Sequence, residues 1–477
     1  MTLPALQPIL DAAVGSFEKV VERDVQAAVL PNLLAVVIEV GRFVTALGLA
    51  MIQRYVDVRL RQSKASHRVC ECGKPMEWLS NSKWRHGTQF GDVHVKDVYA
   101  YCRSCKQSAR PLHGWLGTAA ERWSLALEEK VVDLASDESC GKAVAKLARQ
   151  HPGADVGRTS ALRMLHRHGA SACEFIEEKL TAAVAVAAQE GRRTGVKELE
   201  VEYDGGMIPV ATLEPIPTPE GQEPELTPVR RLPKRHKNCR WEEAKLGLVQ
   251  IPGEVEGRLY TVRPTAELNK AFRDLLGLAC IKGWSEETQV RGIADGARHI
   301  RPRLADTFNG SPFKFILDRP HAKEHLAAAG EELEKLGGEP KAVWADAALE
   351  KMEAGDARCV VAQLRLAAER GANEPLRLEA EYFARNQDAV AYADYRARGW
   401  STASSEVESG HRSVVQVRVK LSGAWWHPDN VKNILALRML KANNWWAEYW
   451  QHRRQRWREQ ADELRNTEPR TRHVAAA

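Results

Sequence analysis

The chain has 477 residues, of which 44% are hydrophobic and 28% are charged, and its formal net charge is +6. This composition is typical of a soluble folded protein, and the length predicts about three domains rather than one core. A small positive charge does not by itself indicate a polyanionic partner, so the position of the basic residues matters more than their excess. The N-terminus lacks the basic segment of a signal peptide.

The first 66 residues have a helical pattern. The most apolar stretch, 25–56, is interrupted by Glu39, Arg42 and Arg54. Because the apolar run between these charges is too short to cross a bilayer, we expect a buried helix and no membrane partner. Such a helix packs either against a core or against a second subunit. We therefore assign 1–66 to a helical region with possible dimerisation, and expect a homodimer or higher oligomer.

Residues 67–117 contain two closely spaced cysteine pairs on either side of an alternating segment with a turn at Gly91-Asp92. Short turns of this kind can each present two thiolates to one tetrahedral Zn²⁺. The spacing predicts a zinc ribbon with a structural zinc ion, although four reduced cysteines without a ligand are the alternative. The predicted ligands are Cys70, Cys72, Cys102 and Cys105.

Residues 118–196 are predicted to be helical. A helix, a Pro-Gly break at 152–153 and a second, basic helix form a helix-turn-helix pattern. The second helix would offer Arg158, Arg163, Arg167 and His168 to DNA. An ordinary helical hairpin with a solvated basic face is the alternative.

From residue 197 the pattern changes to strands. The segment 199–204 alternates and ends at Gly205-Gly206, and 207–213 is predicted to be a second strand. A long loop at 214–237 then carries a basic arm that we also assign to DNA binding. Strands at 243–251, 258–262, 289–295 and 313–318 and a helix at 267–277 complete this part of the chain. The residues of the basic arm are Arg230, Arg231, Lys234 and Arg235.

The remaining chain is predicted to be mainly helical. A helical insertion at 326–398 precedes closing helices at 399–462, the first of which begins near Glu406, and a basic tail at 463–477. One helix beyond Pro428 holds Leu435 to Trp450. Tryptophans of this end, among them Trp425 and Trp457, can stack on bases, although core packing is the more common use.

Three acidic positions follow the predicted elements in a suggestive order. Asp204 ends the first strand, Asp295 ends the fourth, and Glu408 lies in a closing helix with Glu406 as its competitor. Carboxylates are the ligands that Mg²⁺ and Mn²⁺ use to cut phosphodiesters. For a single Asp-Gly pair a simple turn is the alternative, and only the recurrence in order favours a site.

Several segments together resemble bacterial insertion-sequence DDE transposases of the ISKra-like group, which are related to the eukaryotic Mutator type. The resemblance covers nearly the whole chain. It rests on CECG at 70–73, CRSC at 102–105, PLHGWLG at 111–117, YDG at 203–205, WEEAKLG at 241–247, ADGA at 294–297, LDRPHAKEHL at 317–326, VES at 407–409 and RVKLSG at 418–423. Two positions depart from the family pattern, since Gly206 replaces Thr or Ser and Ala403-Ser404-Ser405 replaces Gly-Ser-Gly.

The resemblance implies an α/β RNase H-like catalytic core, 197–325 and 399–462, split by the helical insertion and preceded by the helical region, the zinc ribbon and the helix-turn-helix. It implies Asp204, Asp295 and Glu408 as catalytic residues that bind Mg²⁺ or Mn²⁺. The implied activity is cleavage of double-stranded DNA at terminal inverted repeats and strand transfer into target DNA. The implied location is the bacterial cytoplasm, at the nucleoid.

Two other functions remain open. One is a domesticated DNA-binding protein that keeps the fold without the chemistry, and the other is a nuclease without strand transfer. A second cluster, Asp318, His321 and His325, has its histidines four residues apart on one helix face. We expect a supporting role for this cluster, with metal or phosphate contact as the alternative.

Overall fold

The computed structural model describes isolated residues between 7 and 22, and residues 33–66, 69–70, 72–109, 122–189, 195–217, 234–254 and 256–467. The chain divides into two compact units. The first unit comprises 1–166 and 446–477, and the second comprises 167–445. Mixed α/β structure is confirmed, with a five-stranded mixed sheet in the second unit.

The first unit combines helices with a small antiparallel sheet. Among the described residues, a long helix precedes the sheet and three helices follow it, the last of which, Arg158–Gln189, continues into the second unit. The helix Trp446–Thr467 also belongs to the first unit. The elements are α1 (Leu33–Ser66), β1 (Glu77–Thr88), β2 (Gly91–Tyr101), β3 (Ser108–Ala109), α2 (Leu125–Asp137), α3 (Cys140–Gln150) and α4 (Arg158–Gln189). Serine side chains cap two of these helices, because Ser124 accepts from Leu127 N and Ser139 accepts from Lys142 N.

The hairpin of this sheet is longer than the sequence indicates. Strands β1 and β2 pair from Glu77↔Tyr101 to Thr88↔Gly91, so the turn lies at residues 89–90 and Gly91 already belongs to β2. Gly91 has φ +135°, a conformation that side chains other than glycine rarely adopt. The predicted turn at Gly91-Asp92 is therefore displaced by two residues.

Helix α1 differs from the prediction of a buried helix. Its second half packs on β2, where Val56, Val93 and Val95 form a small core. In the first half, Val37 is 58% exposed and Val44 is 53% exposed. Val36–Arg61 is long and apolar enough to cross a membrane, and none of its most apolar window is buried. No other helix in the described part of the chain passes this test, and one such helix is weak evidence for a membrane span.

The second unit is built on a mixed sheet with the strand order β6-β5-β4-β7-β8. Strand β5 runs antiparallel to both β4 and β6, whereas β7 runs parallel to β4 and β8 runs parallel to β7. The strands are β4 (Glu198–Pro215), β5 (Arg235–Gln250), β6 (Leu259–Pro264), β7 (Gln289–Ala294) and β8 (Phe313–Leu317).

The two strands predicted at 199–204 and 207–213 are one strand. Strand β4 pairs with β5 at every position from Glu200↔Gln250 to Pro215↔Arg235, and the pairing passes through Gly205 and Gly206 without a break. The prediction that Asp204 ends this strand is therefore wrong, because the glycine pair does not make a turn here. What ends after Tyr203 is only the parallel pairing with β7.

Helices cover both faces of the sheet. The helix between β6 and β7 covers one face of the sheet, where Leu275 lies against Gly247 in the space that a Cβ would occupy. On the other face of the sheet, Gly410 packs against Leu246. Successive strand residues point to opposite faces, which is why these two helices lie on different sides. The helices are α5 (Leu268–Ile281), α6 (Ile300–Thr307), α7 (Arg319–Lys335), α8 (Lys341–Glu353), α9 (Ala357–Gly371), α10 (Glu374–Asn386), α11 (Tyr392–Ala397), α12 (Ser405–Gly410), α13 (Val417–Val419) and α14 (Pro428–Ala442).

Two features of the C-terminal helices were not expected. Residues His411–Gln416 join α12 to α13 as a π-helical segment. The single helix predicted beyond Pro428 is two, because α14 ends at Ala442 and α15 (Trp446–Thr467) follows. Asn444 adopts φ +58° between them, a left-handed conformation that ends a helix.

Candidate active site

The two aspartates lie where the parallel pairing of two neighbouring strands ends. The parallel pairing of β4 and β7 ends at Tyr203↔Ala294, so Asp204 and Asp295 are the next residues on each strand. Burial raises the pKa of Asp204, and the charge of Asp295 adds to this increase. Two carboxylates held together in this way favour a bound cation.

The backbone after Asp295 is fixed by a tight turn. The Asp295 carboxylate accepts a hydrogen bond from Ala297 N at 2.9 Å, and Gly296 has φ +75°. The Tyr382 hydroxyl donates to the Asp295 carbonyl at 2.7 Å. Gly296 has no room for a side chain, since a Cβ would lie 2.5 Å from Leu317. Here the turn interpretation of an Asp-Gly pair applies, and the turn orients the aspartate.

Helix α12, which carries Glu408, is anchored at its N-terminus by two buried carboxylates. Asp318 accepts from the Ser404 backbone N at 2.6 Å and from its hydroxyl at 2.9 Å. Glu202, two residues before Asp204 on β4, accepts from Val407 N at 2.7 Å. These bonds satisfy N–H groups at the start of the helix, which have no acceptor within it. They tie Glu408 to the strand that carries Asp204.

The two glutamates of α12 have different surroundings. The Glu406 carboxylate forms an ion pair with Arg258 at 2.7 Å. Glu408 is half-buried, and no cation pairs with it among the residues that the structure describes. His411, three residues later on the same helical path, approaches Asp204. Residues three apart share a helix face, so the position of His411 favours Glu408 over Glu406 as the glutamate nearer Asp204.

His411 is a buried neighbour of Asp204. Its Nε2 lies 3.4 Å from the Asp204 carbonyl oxygen and 3.7 Å from Oδ2. Burial lowers the pKa of His411, although Asp204 acts in the opposite direction. The ring occupies the space beside Gly206, where a Cβ would lie 2.6 Å from Nδ1. The neutral imidazole therefore packs where strand β4 has no side chain.

His321 is a charged neighbour of the same aspartates. The hydrogen bond between His321 Nδ1 and Asp318, at 2.6 Å, raises the pKa of His321 to about 9, and the charges of Asp204 and Asp295 contribute. Burial raises the pKa of Asp318, but hydrogen bonds from His321 and Ser404 outweigh this and leave it below its usual value. A buried carboxylate thus holds an imidazolium beside the aspartate pair.

His325 points to a different partner, although it lies four residues from His321. Its Nδ1 is 2.7 Å from the Glu379 carboxylate. Its ring stacks on Tyr382 with centroids 3.7 Å apart. Because Tyr382 donates a hydrogen bond to the Asp295 carbonyl, His325 is connected to Asp295 through Tyr382.

The carboxylates offer oxygen ligands suited to Mg²⁺ or Mn²⁺. The mutual repulsion of Asp204 and Asp295 and the absence of a described cation partner for Glu408 fit such an ion. The three do not form a tight cage, since in the described part of the chain only the four cysteines bring three or more ligand atoms within 4.8 Å of one another. Mg²⁺ keeps several waters, so few protein ligands are required.

The four predicted cysteines form one cluster. The Sγ atoms of Cys70 and Cys105 lie 3.4 Å apart, and those of Cys72 and Cys102 lie 3.5 Å apart. Four sulfurs around one zinc ion are about 3.8 Å apart, whereas a disulfide requires about 2.05 Å. A backbone N–H of Cys105 lowers the pKa of Cys102 to about 7, whereas burial and the neighbouring thiols raise the pKa of Cys70 to about 12 and also raise that of Cys72. The cluster is compatible with a structural metal such as zinc.

The predicted DNA-binding residues are only partly described. Arg158, Arg163 and Arg167 are exposed on α4. His168 is buried, so its assignment to a DNA-contacting face is wrong; with Leu165 it belongs to the packed side of the helix. Lys234 and Arg235 lie at the start of β5, and Arg230 and Arg231 fall outside the described residues.

Sequence reasoning missed several polar residues around the aspartates. Besides His411 and Glu202, Lys245 is buried opposite Gly205 and pairs with Glu243 at 2.8 Å. The only signal in the sequence was the alternation of acids at Glu200, Glu202 and Asp204, which places charge on a strand face. Comparison of the chain with protein-family models and with curated proteins finds no match.

Proposed function

We propose that the chain is a DNA transposase with an RNase H-like core, in which Asp204, Asp295 and Glu408 bind Mg²⁺ or Mn²⁺. The observation that carries the proposal is that the two aspartates lie where the parallel pairing of β4 and β7 ends, beside the helical segment that carries Glu408 and His411. The strand order β6-β5-β4-β7-β8, antiparallel then parallel, supports the RNase H-like assignment.

The proposed reaction has two steps. In the first, a water oxygen attacks a phosphorus at the element end, the P–O3′ bond breaks, and the 3′ oxygen leaves and takes up a proton. In the second, this 3′-hydroxyl attacks a phosphodiester of target DNA, and the target 3′ oxygen leaves. When bound, the divalent ions polarise the phosphate and activate the attacking oxygen.

The chain's own residues contribute positioning and charge. Asp204, Asp295 and Glu408 provide the oxygen ligands. The His321 imidazolium, oriented by Asp318, places positive charge beside the aspartates, where a phosphate would bring negative charge. His411 and Glu202 fix the distance between α12 and β4. The zinc ribbon is proposed to be structural.

The test is a cleavage assay with the element's own terminal inverted repeats. The protein is incubated with this DNA and Mg²⁺ or Mn²⁺, and nicked and joined products are separated on denaturing gels. We expect both products from the wild type and neither from Asp204→Asn. Binding without cleavage by the wild type would instead indicate a DNA-binding protein that has lost the chemistry. Nicking without joining would indicate a nuclease.

A further inference from the structure

Two tryptophans meet at the surface beside the long β4–β5 hairpin. Trp241 on β5 is 54% exposed. Its ring centroid lies 6.0 Å from that of Trp425, which belongs to the loop after α13. Large exposed aromatic surface of this kind is costly in water, and its presence suggests a partner that covers it.

Two exposed lysines flank the rings. Lys237 Nζ lies 5.3 Å from the Trp425 ring centroid, and Lys420 Nζ lies 5.9 Å from that of Trp241. Neither lysine pairs with a carboxylate among the described residues. The acids nearby are already engaged, because Glu214 binds Asn238 and Thr212. Glu242 pairs with Arg240.

The loop that carries Trp425 is fixed to the hairpin. Ala211 N donates to the Trp426 carbonyl at 2.8 Å, and Trp426 N donates to the Pro209 carbonyl at 3.2 Å. The buried Trp426 indole donates to the Val419 carbonyl at 2.9 Å. The Trp241–Trp425 pair is therefore preorganised, which reduces the entropy cost of binding a ligand.

The pair lies along the strand that carries Asp204. Trp241 is opposite Pro209, five residues beyond Asp204 on β4. At roughly 3.4 Å per residue the separation along the strand is about 17 Å. Because side chains alternate along a strand, a separation of five residues places Trp241 on the face of the hairpin opposite to the Asp204 side chain.

We propose that Trp241, Trp425, Lys237 and Lys420 form a stacking platform for unpaired bases of single-stranded DNA on the hairpin that carries Asp204. Indole rings stack on the face of any base, and the lysines neutralise the adjoining phosphates. Duplex DNA does not fit the rings equally well, because its bases already stack on one another. The choice of DNA rests on the function proposed above, whereas the platform itself rests on the rings and charges.

The test measures binding without divalent metal, so that cleavage plays no part. Fluorescence anisotropy is recorded for a labelled thymidine 20-mer, for a duplex and for a uridine 20-mer with wild type, Trp241→Ala, Trp241→Phe and Lys237→Ala. Leu213→Ala is the matched control, because Leu213 is 62% exposed on the same hairpin and has no ring. Circular dichroism verifies that each variant is folded.

We expect Trp241→Ala to weaken single-strand binding about fivefold to a hundredfold, the range for one lost stacked base. Trp241→Phe should keep most of the affinity, and Leu213→Ala all of it. Lys237→Ala should lower the slope of log affinity against log salt by about 0.7. The duplex should respond little to Trp241→Ala.

The proposal would be overturned if Trp241→Ala and Leu213→Ala bound the thymidine 20-mer equally well, or if Trp241→Ala lost as much affinity for the duplex as for the single strand. It would also be overturned if the wild type bound the uridine 20-mer in preference to the thymidine 20-mer. These outcomes can be distinguished from a failure of the transposase proposal. A wild type that cleaves element ends but binds independently of Trp241 refutes only the platform. A wild type that never cleaves but needs Trp241 to bind a single strand refutes only the chemistry.

Discussion

At the scale of single residues, the site depends on polar side chains that no linear pattern marks. His411 approaches Asp204 and Lys245 lies opposite Gly205, although both residues are far from Asp204 in sequence. Their proximity depends on strand pairing, which brings Gly205 opposite Lys245, and on the absence of a side chain at Gly206. A sequence gives residue types and periods, but it does not give which buried groups meet.

His321 is predicted to remain protonated well above neutral pH. Its pKa is raised to about 9 by Asp318, so its charged form is favoured by folding. The resulting stability is fully present below the unfolded value of about 6.5 and is lost as the pH rises through 9. Histidine NMR titration should find one imidazole with a pKa near 9, and Asp318→Asn should lower it. A normal pKa for His321 in the wild type contradicts this electrostatic description.

Gly206→Ala is predicted to damage the site from the strand side. The new Cβ would lie 2.6 Å from His411 Nδ1, and both atoms belong to packed elements. Overpacking of this kind costs about 1–3 kcal/mol, and the shift of His411 should reduce DNA cleavage. Thermal unfolding and cleavage rates measure the two effects.

Gly141→Ala is the matched control, because nothing lies within 4 Å of a Cβ at Gly141 in α3. That change should stabilise the protein by about 0.4–1 kcal/mol and leave cleavage unchanged. If Gly206→Ala behaved like Gly141→Ala, the contact between His411 and β4 would not matter for the site.

At the scale of elements, α12 is held in place by buried acids. Burial raises the pKa of Glu202 to about 8, so this side chain is mainly protonated at neutral pH. One of its oxygens accepts from Val407 N, and the other, Oε1, has no hydrogen-bond partner in the described structure. The bond links the strand of Asp204 to the helix of Glu408.

Glu202→Ala is predicted to lower the free energy of unfolding by about 1–3 kcal/mol, because Val407 N loses its acceptor inside the protein. Glu202→Gln keeps an oxygen and resembles the protonated acid, so it should be close to wild type. Urea unfolding distinguishes the two variants. An equal loss for both would show that the amide cannot replace the acid and that α12 needs the charge.

Much of this unit's secondary structure was predictable, because strands and helices have different hydrophobic periods. The helix at 267–277 and the strands at 289–295 and 313–318 agree with α5, β7 and β8 to within a few residues. Two positions differ from the prediction in opposite ways. The pattern predicts a strand end at Gly205-Gly206, where the strand continues, and a continuous helix across Asn443-Asn444, where a helix ends. Pairing with β5 keeps the glycines in a strand, whereas the left-handed Asn444 breaks an apparently continuous helix.

The cysteine cluster leads to a prediction about metal content. The wild type purified without chelator should carry about one zinc ion per chain. Cys72→Ser should lose it, because Cys72 Sγ is one of the four clustered sulfurs and lies 3.5 Å from that of Cys102. Cys359→Ser, at an exposed cysteine outside the cluster, should keep it. Elemental mass spectrometry measures the content, and zinc retained by Cys72→Ser would contradict the assignment.

At the scale of the whole molecule, carboxylates distant in sequence come together through strand topology. The sequence motifs give the order of Asp204, Asp295 and Glu408, and the sheet explains why the two aspartates lie close together, since β7 pairs in parallel beside β4. The exposed half of α1 was not predictable, because hydropathy reports how apolar a segment is and not what covers it.

The most direct test of this account is the rate at which element-end DNA is nicked in Mg²⁺ by Glu408→Gln and by Glu406→Gln. We predict that Glu408→Gln loses more than about a hundredfold, because even groups behind a metal ligand contribute up to that factor. Glu406→Gln loses only a partly exposed ion pair with Arg258 and should stay within about tenfold of wild type. Nicking by Glu408→Gln at the wild-type rate would contradict the three-carboxylate site.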